Sequence, residues 1–182
     1  NHAFDCRVVV LCGAGRLFCS GADLTTDVSG DQHYDWTDFP DKVKSFWQMQ
    51  QELSTAIMKV RRIPQPVIAA VHGVVFGGGF ELALACDLIL ADRTARFAFP
   101  ELRLGLIPGF GGVPRLKRDV GNALVRDLLL TGRSINATRA HQAGVVSQVV
   151  GEGEALRAAR AAAQQILKFD TETAAAAQRF LK

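Results

Sequence analysis

Apolar residues fall along this chain in two rhythms. Continuous, β-branched runs occupy Asp5–Cys12 (DCRVVVLC), 67–71 (VIAAV) and 87–91 (DLILA). Runs of this length with no polar alternation predict strands buried in a sheet that is covered on both faces. Between the first two, Val43, Phe46, Trp47, Leu53, Ile57 and Val60 recur at helical spacing, and Lys59, Arg61 and Arg62 stand where they complement the negative end of that helix before Pro64 and Pro66 stop it. A second helix is expected after Gly79, leading into the strand at 87. Strand, helix, strand, repeated, predicts βαβ crossovers and a mainly parallel sheet, an α/β fold.

Further along, Val120 to Leu130 and Thr138 to Ala143 read as helices, and VVSQVV at 145–150 as a short strand. Glu152 to Lys168 reads as an alanine-rich helix whose Leu156, Ala159, Ala163, Ile166 and Leu167 share one face, with Glu152 and Glu154 in its first turn. TETAAAAQRFLK at 171–182 continues in the same vein and is expected to be helical. The polar stretch from Thr25 to Asp41, with Gly, Pro and several Asp, is expected to be a surface loop or lid.

Composition narrows the classes. Of 182 residues 48% are hydrophobic and 21% charged, enough apolar material for one folded core and too little charge for disorder. The net charge of +3 comes from scattered basic positions, so no stripe suited to tracking nucleic-acid phosphates is expected. Cys6, Cys12, Cys19 and Cys86 form no CxxC pair, which excludes the common zinc spacing and predicts reduced, buried thiols in a cytoplasmic setting, with no metal site. The apolar stretches are interrupted well short of the ~20 residues of a membrane helix, and no leader-like apolar segment opens the sequence.

Glycine signatures of the familiar kinds fail. GAGRLF follows a strand, but Phe18 stands where a dinucleotide fingerprint needs Gly or Ala; GFGGVP has Pro114 at the corresponding place. Ser20 in FCSGA lacks the first glycine of a nucleophile elbow. Two glycine turns remain, FCSGADL at 18–24 and FGGGFEL at 76–82. Bare backbone there would let amides approach a ligand, and the second turn opens a helix with a partly positive amino end. Tight packing of helix on sheet is the competing explanation for such glycines. Glu81 lies one turn inside that helix among Phe80, Leu82, Ala83 and Leu84, and Glu101 lies in FAFPELRLGLIPGFGG, again among apolar residues. Either acid alone fits a surface or capping position. Two carboxylates facing one pocket could hold a water between them, one taking its proton while the other protonates a carbon.

These residues together resemble the enoyl-CoA hydratase/isomerase, or crotonase, superfamily, over nearly the whole sequence: FCSGADL, PVIAAVHGVVFGGGFELALACDLILA, FAFPELRLGLIPGFGG and LLLTGRSINATRAHQAGVVSQVV. The resemblance implies a β/β/α spiral with mainly parallel sheets and C-terminal helices, with 1–150 forming the spiral core and 151–182 the start of the helical region. The family's first strands and most of its C-terminal helices would then have no counterpart here. It implies an acyl-CoA substrate, with coenzyme A entering as part of the thioester and no permanently bound cofactor. The thioester oxygen would sit between the N–H groups of Ala22 and Gly78, with Ser20, Gly21, Ala22, Asp23, Leu24 and Gly78 along the substrate and the carbonyls near Ser20 and Ala22 at the adenine. Most like the hydratase subgroup, which retains both acids, Glu81 would activate water and Glu101 would protonate the α-carbon. A homotrimer or hexamer is implied, with neither nucleic acid nor membrane as partner. The 25–41 segment would shape the acyl pocket, and His72 is read as structural. Within the same family an isomerase, dehydratase or decarboxylase on CoA or carrier-protein thioesters stays open, as does a non-catalytic assembly subunit.

Overall fold

The computed structural model describes residues 6–22 and 39–181. Strand β1 (Val9–Cys12) is followed by α1 (Phe39–Arg62), β2 (Val67–Val71), β3 (Val74–Phe76), α2 (Gly78–Ala85), β4 (Leu88–Asp92) and β5 (Arg96–Ala98). A 3-10 turn at Glu101–Leu104 then leads to α3 (Gly112–Asp119), α4 (Asn122–Thr131), β6 (Ile135–Asn136), α5 (Ala137–Gln142), β7 (Gln148–Val150), α6 (Ala155–Ile166) and α7 (Thr171–Leu181).

The strands form two sheets. The larger has the order β1-β2-β4-β7 and is parallel throughout, as the strand-helix-strand rhythm predicts. The smaller has the order β3-β5-β6, with β3 and β5 parallel and β6 antiparallel. Side chains alternate across β2 and β4: Ile68, Ala70 and Leu90 face α6, where Ala155, Ala159 and Ala163 let the helix lie close, while Val67, Ala69, Val71, Ile89 and Ala91 face the main core. The central strand β2 is buried along its whole length. Burial on both faces explains why its sequence reads as an unbroken apolar run.

Three expectations need correction. The 5–12 run is only half-buried over β1, because among the described residues β1 is an edge strand with a neighbour on one side. For the same reason Cys12 is exposed, and Cys6, just before the strand, is exposed too; of the four thiols only Cys86 is buried. Trp47, expected on the apolar face of α1, is 61% exposed, and the helix instead packs through Leu53 and Ile57 against α2. The side chains of Val43 and Phe46 lie outside the described residues, as does most of the 25–41 segment, whose last residues form the start of α1.

α2 is apolar on every side except at Glu81, the pattern of a helix buried all round. Eight residues cannot hold a helix by propensity alone. Packing holds it: Phe80 is fully buried and stacks at centroid distances of 5.3 Å on Phe97 and 4.8 Å on Phe99. Asp87, at the exit of α2, accepts from the N–H of Val67 at 2.8 Å and from Gln178 of α7 at 2.9 Å, tying the helix exit to the start of β2 and to α7. Among the described residues no helix is long and apolar enough to cross a membrane.

Candidate active site

The segment 18–21 runs beside β3 as a short parallel strand. Cys19 pairs with Val75, its N–H donates to Val74 at 3.1 Å, and its carbonyl accepts from Phe76 at 3.0 Å. This brings the two glycine turns together. Gly21 has φ +111° and Gly77 φ +53°, left-handed conformations that glycine adopts without strain. A β-carbon added at Gly21 would lie 3.5 Å from the nitrogen of Gly78, and one added at Gly78 would lie 3.9 Å from the nitrogen of Ala22. Among the described residues neither the N–H of Ala22 nor that of Gly78 donates to a protein acceptor. Gly79 answers the competing explanation for the glycines: a β-carbon there would be 2.3 Å from the Cys19 carbonyl oxygen, so this one is a packing glycine.

Both acids join this place. Ser20, Gly21, Ala22, Gly77, Gly78, Glu81 and Glu101 line one pocket, closed by Met49 and Gln50 from α1 and by Pro100, Leu104, Leu106, Ile107, Gly109 and Phe110. Asp23 and Leu24 lie outside the described residues. Glu81 is 1% exposed. Its Oε1 accepts from the N–H of Phe110 at 2.9 Å and of Gly112 at 2.8 Å, whereas its Oε2 is buried with no partner among the described residues. Glu101, at the start of the 3-10 turn, likewise has a buried Oε2 without a partner among the described residues.

Burial acts on both carboxyls in the same direction, raising each above the ordinary value, because the charged form loses its water. The counterweights differ. Glu81 is drawn back down by the N–H groups of Gly112 and Phe110 and by the positive charge of Arg115; Glu101 has its own backbone N–H, and the neighbouring Glu81 pushes it further up. Both acids are therefore harder to ionise than an exposed glutamate, and they differ in what opposes that shift.

His72 contributes elsewhere: its ring Nε2 lies 3.0 Å from the carbonyl oxygen of Gly15, a brace for the 13–16 turn. The turn Phe110–Gly112, which grips Glu81, and Arg115, which grips that turn, were not singled out from sequence as parts of the site. The run GFGG ahead of a basic amphipathic segment is the signal that marks them.

A family model described as enoyl-CoA hydratase/isomerase matches residues 3–182. A Rhizobium meliloti protein named "Probable enoyl-CoA hydratase" is 40% identical over 166 residues, 91% of this chain and 60% of that protein. A carnitinyl-CoA dehydratase of Proteus mirabilis is 39% identical over 161 residues, 88% of this chain and 57% of that protein. The crystal structure of an enoyl-CoA hydratase from Bacillus anthracis superimposes with a TM-score of 0.84 at 35% identity, covering 95% of this chain and 63% of that one. The chain thus spans about three fifths of the length of the curated relatives it matches. With an α/β fold of mainly parallel sheets shared with a solved hydratase and a family match running from residue 3 to residue 182, the chain belongs to the enoyl-CoA hydratase/isomerase family.

Proposed function

We propose that the protein is an enoyl-CoA hydratase, adding water reversibly across a trans-2-enoyl-CoA. The observation that carries this reading is the pair of buried, unpartnered Oε2 atoms on Glu81 and Glu101 in one pocket with the free N–H groups of Ala22 and Gly78. An unpaired buried carboxylate oxygen is costly, and a water and a substrate would satisfy both.

In this reading the thioester oxygen accepts from the N–H groups of Ala22 and Gly78. Glu81, ionised, takes a proton from water while the water oxygen bonds to the β-carbon; the electron pair of the double bond moves to the thioester as an enolate, held by the two N–H donors. Glu101, protonated, then gives its proton to the α-carbon, so one water is added in all. Loss of one such donor costs roughly 2.7–4 kcal/mol, and each proton transfer by a side chain contributes about 10² to 10⁴ in rate. Ser20, Gly21, Asp23 and Leu24 would flank the coenzyme A portion, and coenzyme A would arrive only as substrate. A homotrimer or hexamer, and a boundary at 150/151 with α6 as the first helix of the C-terminal region docked on the spiral core, belong to the same proposal.

Run backwards, the same groups dehydrate a 3-hydroxyacyl-CoA, and a relative's name as carnitinyl-CoA dehydratase favours testing that direction. Incubation with 2-enoyl-, 3-enoyl- and 3-hydroxyacyl-CoA followed by mass spectrometry separates gain of water, loss of water and an isobaric double-bond shift. Gain and loss of water at one equilibrium are expected. Full activity in the double variant Glu81→Gln, Glu101→Gln would defeat the two-carboxylate mechanism, and no turnover of any thioester would favour an assembly role.

A further inference from the structure

Arg115 stands in the first turns of α3, half-buried, one layer behind the pocket. Its Nη1 donates to the carbonyl of Phe110 at 2.7 Å and its Nη2 reaches Sδ of Met58 on α1 at 3.0 Å. The peptide it grips belongs to the turn that grips Glu81, since the N–H groups of Phe110 and Gly112 both end on Oε1. The turn has no slack on either side. A β-carbon at Gly111 would lie 3.0 Å from Nη1 of Arg115, and one at Gly112 would lie 2.4 Å from Cγ of Glu81.

We infer that Arg115 is a positioning residue: by clamping the Phe110–Gly112 turn between α1 and α3 it fixes the Oε1 anchor of Glu81 and hence where the free Oε2 points. The inference rests on Glu81 acting as the base of the proposed hydration. A half-buried guanidinium is costly unless its donors are used, and here two of them are spent on the turn and on α1. Its charge acts on the same carboxylate. Among the described residues the titratable groups facing Glu81 are Arg115 from α3 and Glu101 from the 3-10 turn; α1 presents the neutral Met49 and Gln50 to the pocket, and Arg61 and Arg118 act on Arg115 itself. Removing the guanidinium therefore takes away the positive charge that favours the ionised form of Glu81, and the base becomes harder to ionise.

The test compares Arg115→Lys and Arg115→Met in the full chain. Arg115→Met is expected to lose about tenfold to a hundredfold in kcat, the range for a residue that orients a functional group from behind, with KM changed less than about threefold. Its acidic limb in kcat/KM moves to higher pH. Arg115→Lys, which keeps charge but cannot reproduce the planar fork, returns the limb toward the wild-type position while kcat stays low. A purely structural role would lower Tm and leave the limb where it was, and that result overturns the inference. Titration of the Glu81 carboxyl by carbon-13 NMR, assigned by its loss in Glu81→Gln, needs no turnover. A higher midpoint in Arg115→Met supports the inference even if the wild type hydrates nothing, which would defeat the proposed reaction alone; an unmoved midpoint overturns it. If Arg115→Met does not fold, Arg115→Gln, neutral but still able to donate to Phe110, should show the same shift of limb and midpoint with a smaller loss of kcat, and an unmoved midpoint in it overturns the inference.

Discussion

Gly77 leaves its missing side chain in favour of Glu101: a β-carbon at position 77 would lie 3.1 Å from Oε1 of that carboxyl. The glycine run that bares the N–H of Gly78 thus also makes room for the second acid, which is why neither motif is interpretable alone.

Crowding at Glu81 gives the sharpest activity prediction. Gly112→Ala would set a methyl 2.4 Å from Cγ of Glu81, so the carboxylate must leave its two N–H donors. Turnover of 2-enoyl-CoA should fall by about 10² to 10⁴, as if the base itself were removed. Steady-state kinetics beside a circular dichroism spectrum separates this from unfolding.

Stability should depend on pH through the same acids. A carboxyl whose pKa is higher folded than unfolded binds its proton more tightly when folded, so its contribution is present at acid pH and is lost as pH rises from the ordinary 4.5 through the raised value. Glu101→Gln carries no charge to bury. Its Tm should match wild type at low pH and exceed it at neutral pH, each kcal/mol gained being worth about 2–4 °C in a chain of this length. Scanning calorimetry at several pH values reads the difference, and a constant offset would refute the cause.

Packing glycines should be distinguishable from open ones. Gly79→Ala forces a methyl within 2.7 Å of Cβ of Cys19 as well as against its carbonyl, and should cost about 1–3 kcal/mol in urea unfolding. Gly121 has φ −67° and nothing within 4 Å of an added β-carbon, so Gly121→Ala should stay within about 0.5 kcal/mol of wild type.

Thiol reactivity checks the edge strand. Cys6 and Cys12 should react readily with an aromatic disulfide reagent in the native protein, whereas Cys86, buried with its Sγ 3.4 Å from the Leu82 carbonyl oxygen, should react only on unfolding.

The long apolar segments were legible because their rhythm is long: β2, β4 and α1 each offer five or more residues of one period. β3, β5 and β6 have three, three and two residues, too few for any alternation to register, and β3 merges with the glycines that follow it. α3 escaped because GFGGVP was weighed only as a glycine signature that Pro114 spoils, although in the first turn of a helix the missing N–H of proline costs nothing. Of the site, both acids and both glycine turns could be picked out as unusual residues in apolar company. What joined Glu81 to Phe110 and Gly112 was invisible, since backbone donors have no letter in a sequence, and Arg115 was one cation among the neighbouring Lys117 and Arg118.

The ladder between residues 19 and 74–76 has an evolutionary consequence. Main-chain bonds hold residue 19 about 4.7–4.9 Å from its partner strand, so the approach of the two glycine turns that follow, with a Gly21 β-carbon 3.5 Å from the nitrogen of Gly78, is set by backbone pairing and not by any side chain. Drift among the surrounding side chains can remodel what fits in the pocket without parting those turns. An insertion, a deletion or a lost glycine would part them, so one backbone geometry can outlast many changes in the lining of the pocket.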